Sequence, residues 1–387
     1  MFGKINKNYF HALATMIGYV VGVGMFGIPF LVTKSGLIPF VFLLIGLAFI
    51  QYLVHVIYAN IIIATPSEHL LPGYTGIYLG KSAKTIVFIA NLFSNIGALL
   101  AYIIVNGIFL NQLLSPYFGG NEFFYATVMF IFEAIVVYFG IKMIAKFEMA
   151  MTAVLLFVIA MIVWRGVPYV QAENFSLVNP LYFFLPYGAL LFSLDGSGCL
   201  PLLSKLLNKD KVAIKSVIRL GIAIPTIIIL AFTIVIVGIS GASTSSDALS
   251  GVKSIIDDGV VTMALIFGVL AITTSFFGVA ESMRKILNWD FRINSTLSWA
   301  IAVFIPYILY FSGIKNLAAV ISVVGAIGGG LASIALILIY RKIRKQKNML
   351  PLFPKFRPKK IITNFLLAIF TAGVIYEIYA IVAKNFL

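Results

Sequence analysis

The chain has 387 residues, of which 61% are hydrophobic and 11% are charged, and its formal net charge is +15. This composition excludes an ordinary soluble domain and is typical of a protein that crosses a membrane many times. The single cysteine, Cys199, excludes a disulfide framework and a paired-thiol site.

Along the chain there are about eleven apolar stretches. The length of each is near or above the roughly 20 residues that a helix needs to cross the hydrocarbon core of a membrane. The first follows Lys4 and Lys7, as a signal peptide would. It is too long for one and lacks a small-residue cleavage site, so we expect a retained helix. The predicted spans are roughly 9–32, 36–63, 84–113, 121–140, 147–167, 182–204, 215–240, 257–283, 294–312, 316–340 and 361–383.

The positive charges are distributed asymmetrically over this pattern. With the N-terminus inside, 23 of the 28 Lys and Arg residues fall in cytoplasmic segments, which leaves five outside. Because cytoplasmic loops carry the excess of Lys and Arg, we predict a cytoplasmic N-terminus and an external C-terminus in a plasma or inner membrane. The basic charge therefore indicates topology and contact with the lipid bilayer, including anionic lipid at 341–347, and we expect no nucleic-acid partner.

The first and sixth predicted spans contain the same helix-breaking pattern. Gly24–Pro29 and Gly196–Pro201 both read Gly-x-x-x-x-Pro, 172 positions apart. Gly and Pro weaken a helix interior by about 1 and 3 kcal/mol relative to Ala, and inside lipid the freed backbone groups need other partners. Matching broken helices in the two halves of a membrane protein indicate a transporter's binding site. The alternative is coincidence, since Gly and Pro are common in membrane helices.

A spacing of 173 residues recurs between the starts of spans 1 and 6, 3 and 8, and 4 and 9. Spans 1–5 and 6–10 therefore predict two copies of one five-helix unit, inverted because five is odd. We expect an all-α integral membrane fold that forms a single transporter domain. Its parts are repeat 1 over 1–167, inverted repeat 2 over 168–345, and a basic connector with helix 11 over 346–387.

The first break predicts the anionic end of a ligand site. The backbone comes close to a ligand at Gly22 and Gly24, because glycine has no Cβ. The half-helix that begins around Met25, Phe26 and Gly27 would point free N–H groups at a carboxylate. The alternative interpretation is a face of small residues that packs against another helix.

The second break predicts the cationic end. Carbonyl groups near Phe192, Ser193 and Gly196 form a partly negative helix end that suits an amine or a cation. Asp195 stands beside them, and a charged Asp at the centre of a membrane helix costs roughly 2.5–3.5 kcal/mol even on the lenient insertion scale. Asp195 is therefore a candidate for the coupling proton or the substrate amine. The alternative is a solvated acid at the rim of a cavity.

A polar stripe runs along the third span. Asn91, Asn95, Tyr102 and Asn106 share one face of the helix. Such a stripe would line a cavity, where Asn95 and Tyr102 contact the substrate. The alternative is hydrogen bonding between helices, at roughly 0.6 kcal/mol per contact.

In the eighth span, Ala271, Thr274, Ser275 and Gly278 lie on one face at positions i, i+3, i+4 and i+7. The two hydroxyl groups, with a carbonyl group near Gly22, would coordinate Na⁺, a hard cation that prefers oxygen. Close packing of small residues is the alternative.

Two further polar residues, His55 in the second span and Glu133 in the fourth, are expected to face neighbouring helices or a rim. Their helices contain no break, so we do not assign them to the transport pathway. The small residues of the tenth span, Gly325 and Gly329 among them, are interpreted as a packing face. The sequence contains neither a cluster with metal-ligand spacing nor a phosphate-binding loop, so we expect no enzyme and no cofactor.

Several segments together resemble the amino acid/polyamine/organocation superfamily, and most closely its bacterial tryptophan/tyrosine (aromatic amino acid) permeases. The similarity runs over nearly the whole chain. The segments that carry it are Met16–Gly18 with Gly22–Pro29, Leu71–Tyr74 with Tyr78–Lys81, Gly97–Tyr102, Thr274–Ala280 and Asp290–Phe291.

The resemblance implies secondary transport of an amino acid, aromatic or neutral, held between the two breaks and coupled to protons. Sodium-coupled relatives share this fold. Some proton-coupled relatives place a lysine in the middle of the fifth span, and the absence of one between Thr152 and Leu156 keeps sodium coupling open. The pattern also leaves open a sensor that binds an amino acid without transporting it, and a passive channel.

Overall fold

The computed structural model describes residues 7–139, 144–253, 259–345 and 360–383, with only the backbone in 144–152 and 289–290. Within these ranges the regular structure is helical, without a β-strand. The predicted connector over 346–359, the ends of two predicted spans at 140 and 257–258, and Lys4 and Lys384 of the charge pattern lie outside the described residues.

The α-helices of the described residues are numbered here in chain order. They are α1 (Lys7–Val20), α2 (Gly24–Ser35), α3 (Leu37–Ala64), α4 (Leu71–Leu79), α5 (Lys81–Phe118), α6 (Glu122–Phe139), α7 (Ile144–Gly166), α8 (Tyr187–Ser193), α9 (Leu200–Leu206), α10 (Lys211–Ser240), α11 (Leu249–Lys253), α12 (Val260–Phe291), α13 (Ser295–Phe311), α14 (Leu317–Val323), α15 (Gly330–Lys345) and α16 (Lys360–Val382). A π-helix, Val324–Gly329, joins α14 to α15. Short 3₁₀ helices cover Val167–Tyr169, Ala172–Asn174, Pro180–Tyr182, Ser197–Cys199 and Gly241–Ser243.

Seven helical segments of the described chain are long and apolar enough to cross a membrane, and the bent pair α1–α2, with 46° between its halves, makes an eighth. The seven are α3, α5, α6, α10, α12, the continuous segment α14–π-helix–α15, and α16. Two further apolar helices are shorter, over Ala153–Tyr169 and Ser295–Phe311. The prediction of an all-α membrane protein is therefore confirmed. The number of about eleven spans and the inverted repeat stay predictions.

Helix α3 shows how one apolar helix serves both lipid and protein. Phe42, Ile45 and Phe49 recur at helical spacing on its exposed face and have the apolar character that suits contact with acyl chains. The opposite face is buried and includes two polar residues, Gln51 and His55. Polar groups buried in an apolar interior need hydrogen-bond partners, so this face predicts a polar contact inside the bundle.

An aromatic cluster fixes the second half of the first broken helix. The ring of Phe26 in α2 lies edge-on to Phe109 of α5, with 5.2 Å between ring centroids, and to Phe232 of α10, at 6.0 Å. Edge-on aromatic pairs contribute about 0.5–1.5 kcal/mol beyond area burial. The cluster therefore joins α2 to two long helices and sets its orientation.

Glu133 of α6 is buried and accepts a hydrogen bond at Oε1 from Nδ2 of Asn106 in α5, 2.9 Å away. The sequence prediction that Glu133 faces a neighbouring helix is confirmed. Asn106, the last residue of the predicted polar stripe, accordingly belongs to a contact between helices.

The Asn106–Glu133 contact predicts a loss of stability in Glu133→Ala. That variant leaves the buried amide of Asn106 without its acceptor, which costs about 1–3 kcal/mol of unfolding free energy. Thermal unfolding in detergent measures the effect. Glu133→Gln retains an acceptor oxygen and is the matched control, with stability near that of the unmodified protein. Equal melting temperatures for the Ala and Gln variants would contradict the assignment.

Candidate functional site

The first helix break exposes two backbone donors. Helix α1 ends at Val20 and α2 begins at Gly24. Within the described chain, the N–H groups of Val23 and Gly24 have no hydrogen-bond acceptor. The N–H of Met25 already donates to the carbonyl of Gly22, at 3.3 Å. The open donors of this break therefore come slightly earlier in the chain than predicted.

Glycine lets the two breaks approach each other. A Cβ at Gly24 would overlap the hydroxyl group of Ser193 and lie 2.8 Å from the ring of Phe192. Such contacts are too close for a real side chain, so only glycine allows α2 to lie this near the end of α8. The absence of a side chain at Gly24 therefore brings the donor end and the acceptor end to one place.

The second break lies between Ser193, where α8 ends, and Leu200, where α9 begins. Oδ1 of Asp195 accepts the N–H of Ser197 at 2.9 Å. The N–H of Gly196 donates to Nε2 of His55 in α3, also at 2.9 Å. These bonds satisfy backbone groups that the break frees, as the membrane interior requires.

Helix α3 supplies partners that the sequence analysis did not assign. Nδ1 of His55 lies 2.5 Å from the carbonyl oxygen of Gln51, and Nε2 of Gln51 donates to the carbonyl of Leu191 at 3.4 Å. Both polar side chains therefore serve the broken helix α8–α9. The sequence signal was available as two polar residues four positions apart in a long apolar stretch, which the structure shows as a helix of 28 residues.

A cavity of about 130 Å³ lies where the two breaks meet α5, α12 and the π-helix. A single water needs only about 10–15 Å³ of such space, so this cavity is large enough for a ligand of several atoms. The predicted site residues that line it are Gly22, Gly24, Asn95, Tyr102, Phe192, Ser193, Asp195 and Ser275. Four separate regions of the sequence thus meet at one cavity.

Three residues predicted for the first break do not line this cavity. Met25 and Phe26 are almost completely buried, and Phe26 belongs to the aromatic cluster described above. A Cβ at Gly27 would lie 2.6 Å from Cδ1 of Ile321 in α14, so this glycine serves helix packing. The helical turn that begins at Gly24 rotates these positions away from the cavity.

Three further predicted residues, Gly196, Ala271 and Thr274, also lie away from the cavity lining. Gly196 contributes its N–H to His55. Thr274 donates its hydroxyl to the carbonyl of Ala271 at 2.8 Å, and Ser275 donates to the same carbonyl at 3.0 Å. Of the predicted sodium ligands, Gly22 and Ser275 line the cavity, whereas Thr274 does not.

The π-helix contributes cavity residues, and two of them, Gly325 and Gly329, were predicted from the sequence to pack between helices. Val324, Gly325 and Gly329 line the cavity, together with Ser94 of α5. Gly325 also packs against α8, where a Cβ would lie 2.6 Å from the backbone nitrogen of Phe192. π-Helices are frequent at functional sites. The sequence signal was the run Gly328–Gly330, which weakens the α-helix at this level of the bundle.

A second cavity, of about 100 Å³, adjoins the first. It extends toward α4 and the later part of α12, where Ser282 and Ile286 contribute to its lining. The residues common to the two cavities are Tyr19, Ser94, Asn95, Asp195 and Gly329. The carboxyl group of Asp195 thus stands between two spaces, with its side chain 38% exposed.

The arrangement can hold a small zwitterion. The cavity is lined both by Val23 and Gly24, which carry the backbone donors of the first break, and by the end of α8 with Asp195. Donors at a helix N-terminus favour an anion, and an acid beside a helix C-terminus favours a cation. No group of His, Cys, Asp and Glu side chains suited to a metal ion occurs among the residues that the structure describes.

Comparisons with known proteins show the family and the fold of the chain. A model of the tryptophan/tyrosine permease family matches residues 6–382. Among 176 matching chains of solved structures is the crystal structure of MhsT in complex with L-phenylalanine. The match has a TM-score of 0.72 at 14% sequence identity and covers 97% of this chain and 98% of MhsT. No individual curated protein matches the sequence.

Proposed function

Because the chain belongs to the tryptophan/tyrosine permease family, we propose that it is a symporter that imports an aromatic or neutral amino acid together with protons by alternating access. The family resemblance seen in the sequence is confirmed, and the protein is a transporter and not an enzyme. One observation carries the proposal: residues of both broken helices, Val23 and Gly24 of the first and Ser193 and Asp195 of the second, line a single cavity.

The substrate carboxylate would lie against the N–H groups of Val23 and Gly24. Val23 is the N-cap of α2 and Gly24 is its first residue, so both N–H groups lie at the end of the helix whose dipole favours negative charge. The substrate amine would lie toward Asp195 and the carbonyl end of α8. A charge-assisted hydrogen bond of this kind contributes about 1.5–3 kcal/mol, which makes Asp195 the strongest single anchor in the site.

The substrate side chain would contact aromatic rings. Tyr19, Tyr102 and Phe192 line the cavity, and aromatic rings pack favourably against one another in offset or edge-on geometry. The phenylalanine bound to MhsT, a protein of the same fold, supports a substrate of this class.

The proposal includes eleven spans and the inverted repeat. Adding α7, the broken pair α8–α9 and α13 to the seven long helices and the pair α1–α2 makes eleven helical segments. Each overlaps a predicted span. Breaks in the first and sixth of them support two five-helix repeats, and two adjoining cavities that share Asp195 support alternating access to one site.

Uptake into proteoliposomes tests this function. We expect accumulation of aromatic amino acids, measured over a panel of labelled substrates, when an inward proton gradient is imposed. One coupled charge moving through 100 mV provides about 2.3 kcal/mol, enough for a roughly fifty-fold gradient. Binding without gradient-driven uptake would favour the sensor, and absence of both would contradict the proposal.

Sodium coupling is the second candidate, since Gly22 and Ser275 both line the cavity. It predicts uptake that requires Na⁺ and is lost in both Thr274→Ala and Ser275→Ala. Proton coupling predicts that Thr274→Ala, which removes a hydroxyl group away from the cavity, retains proton-driven uptake. Measuring both variants under each gradient separates the two ions.

A further inference from the structure

We propose that His55 of α3 binds the coupling proton, with Asp195 as its charge partner. The inference rests on the proton coupling proposed above. His55 is completely buried, and its two ring nitrogens contact two different groups of the protein. No role in transport was assigned to it from the sequence, because α3 itself contains no break.

The hydrogen bonds of His55 specify its tautomer. The carbonyl oxygen of Gln51 can only accept, so Nδ1 of His55 carries the hydrogen of this 2.5 Å contact. The N–H of Gly196 can only donate, so Nε2 of His55 presents its lone pair. His55 is therefore a neutral imidazole with one site left for a proton, and that site is Nε2.

Protonation changes the second break directly. When Nε2 of His55 takes a proton, it can no longer accept the N–H of Gly196, and that hydrogen bond is lost. The new N–H has an acceptor nearby, because Oδ1 of Asp195 lies 3.8 Å from Nε2. The proton thus replaces a bond from His55 to the backbone of the break by an ion pair with Asp195.

This exchange couples the proton to the substrate. Gly196 follows directly after Asp195 and lies three residues after Ser193. Asp195 and Ser193 both line the cavity between the two breaks. A change in the partner of Gly196 therefore acts on the chain that forms the acceptor end of the site. A ligand that binds one arrangement of this segment better than the other shifts the equilibrium between them.

Asp195 also provides the access path. His55 itself has no exposed surface, whereas the side chain of Asp195 is 38% exposed and lines both cavities. A proton from water in either cavity would reach Nε2 of His55 past this carboxylate, and would leave the same way. One carboxylate thus faces both cavities and the proton acceptor.

Other titratable groups surround this pair. Tyr58 lies one turn after His55 on α3, and its ring contacts Tyr74 of α4 with 6.0 Å between centroids. From α10, Arg219 lines a surface cavity together with Tyr52, which precedes His55 by less than one turn. Asp195 is the acid that pairs with His55, with 3.8 Å between Oδ1 of Asp195 and Nε2 of His55. For this reason the proposal names Asp195 as the charge partner of His55.

Transport assays on His55→Gln test the proposal. Glutamine can still accept the N–H of Gly196 but binds no proton in this pH range. We expect proton-driven accumulation to fall from roughly fifty-fold at 100 mV toward unity, while exchange of labelled for unlabelled amino acid continues. His69→Gln, which changes a histidine outside both cavities, is the matched control. Normal proton-driven accumulation in His55→Gln would overturn the proposal.

A spectroscopic measurement keeps the test valid if His55→Gln does not fold. In a His11→Gln/His69→Gln double variant, His55 is the remaining histidine, and ¹⁵N-histidine NMR reports on its ring. We expect the Nε2 resonance to move from an unprotonated to a protonated position over the pH range in which uptake changes. A ring that stays neutral over that range would overturn the proposal. Failure of the symporter itself is distinguishable, because then the unmodified protein shows no proton-driven uptake.

Discussion

Asp195→Asn is expected to weaken amino acid binding by roughly 10- to 150-fold, the equivalent of losing a hydrogen bond to a charged group worth about 1.5–3 kcal/mol. In the unmodified protein the N–H of Ser197 donates to Oδ1 of Asp195 at 2.9 Å. Asparagine has nearly the same shape as aspartate and keeps an oxygen for this hydrogen bond. The second break should therefore keep its backbone geometry while the negative charge disappears. Substrate affinity in binding assays and the pH dependence of uptake are the measurements.

The matched control is Glu173→Gln, which removes a negative charge from an exposed position outside the cavities. It should leave affinity and pH dependence unchanged. If Asp195→Asn also left both unchanged, Asp195 would be a solvated acid at the rim, and neither the amine contact nor the pairing with His55 would stand.

Gly325→Ala is expected to disrupt the packing of the π-helix against α8. A Cβ at this position would lie 2.6 Å from the backbone nitrogen and 2.8 Å from Cβ of Phe192, and still closer to the carbonyl oxygen of Gly188. Backbone atoms cannot rotate away, so the two segments must separate. Overpacking of this kind costs typically about 1–3 kcal/mol, occasionally more. We expect a lower melting temperature in detergent together with loss of uptake.

Gly278→Ala provides the control from the same cavity. Gly278 also lines the cavity between the two breaks, but a Cβ at this position would meet no atom within 4 Å. This variant should melt like the unmodified protein, and the added methyl group should reduce affinity most for the bulkiest substrates. Equal stability of the two variants would mean that α8 and the π-helix are not in the close contact described.

Much of the site was predictable because it depends on local chemistry. Glycine and proline disturb a helix wherever they stand, so Gly24–Pro29 and Gly196–Pro201 indicated the neighbourhood of both breaks. In the structure the first break lies at 21–23, directly before this motif, and Pro29 lies inside α2, whereas the second break lies at 194–199 and includes Gly196. Regular helical spacing likewise brought Asn95 and Tyr102 to one face, and both line the cavity.

The direction in which individual side chains point was harder to predict. The sequence predicted that the first break presents Met25, Phe26 and Gly27 to the ligand. The aromatic contacts of Phe26 with α5 and α10 instead direct this part of α2 into the core. Gly325 shows the opposite case, since a residue predicted to pack between helices both packs and lines the cavity. Each outcome depends on which helix lies opposite, and a single helix pattern does not contain that information.

The sequence by itself determined the membrane class, the helical fold, the family resemblance and the places where two helices break. These follow from composition, from the length of apolar runs and from residues with special backbone behaviour. Only the tertiary structure decided what completes the second break. Gln51 and His55 reach it from about 140 positions earlier in the chain, because buried backbone groups in a membrane need partners and α3 is the helix that packs there.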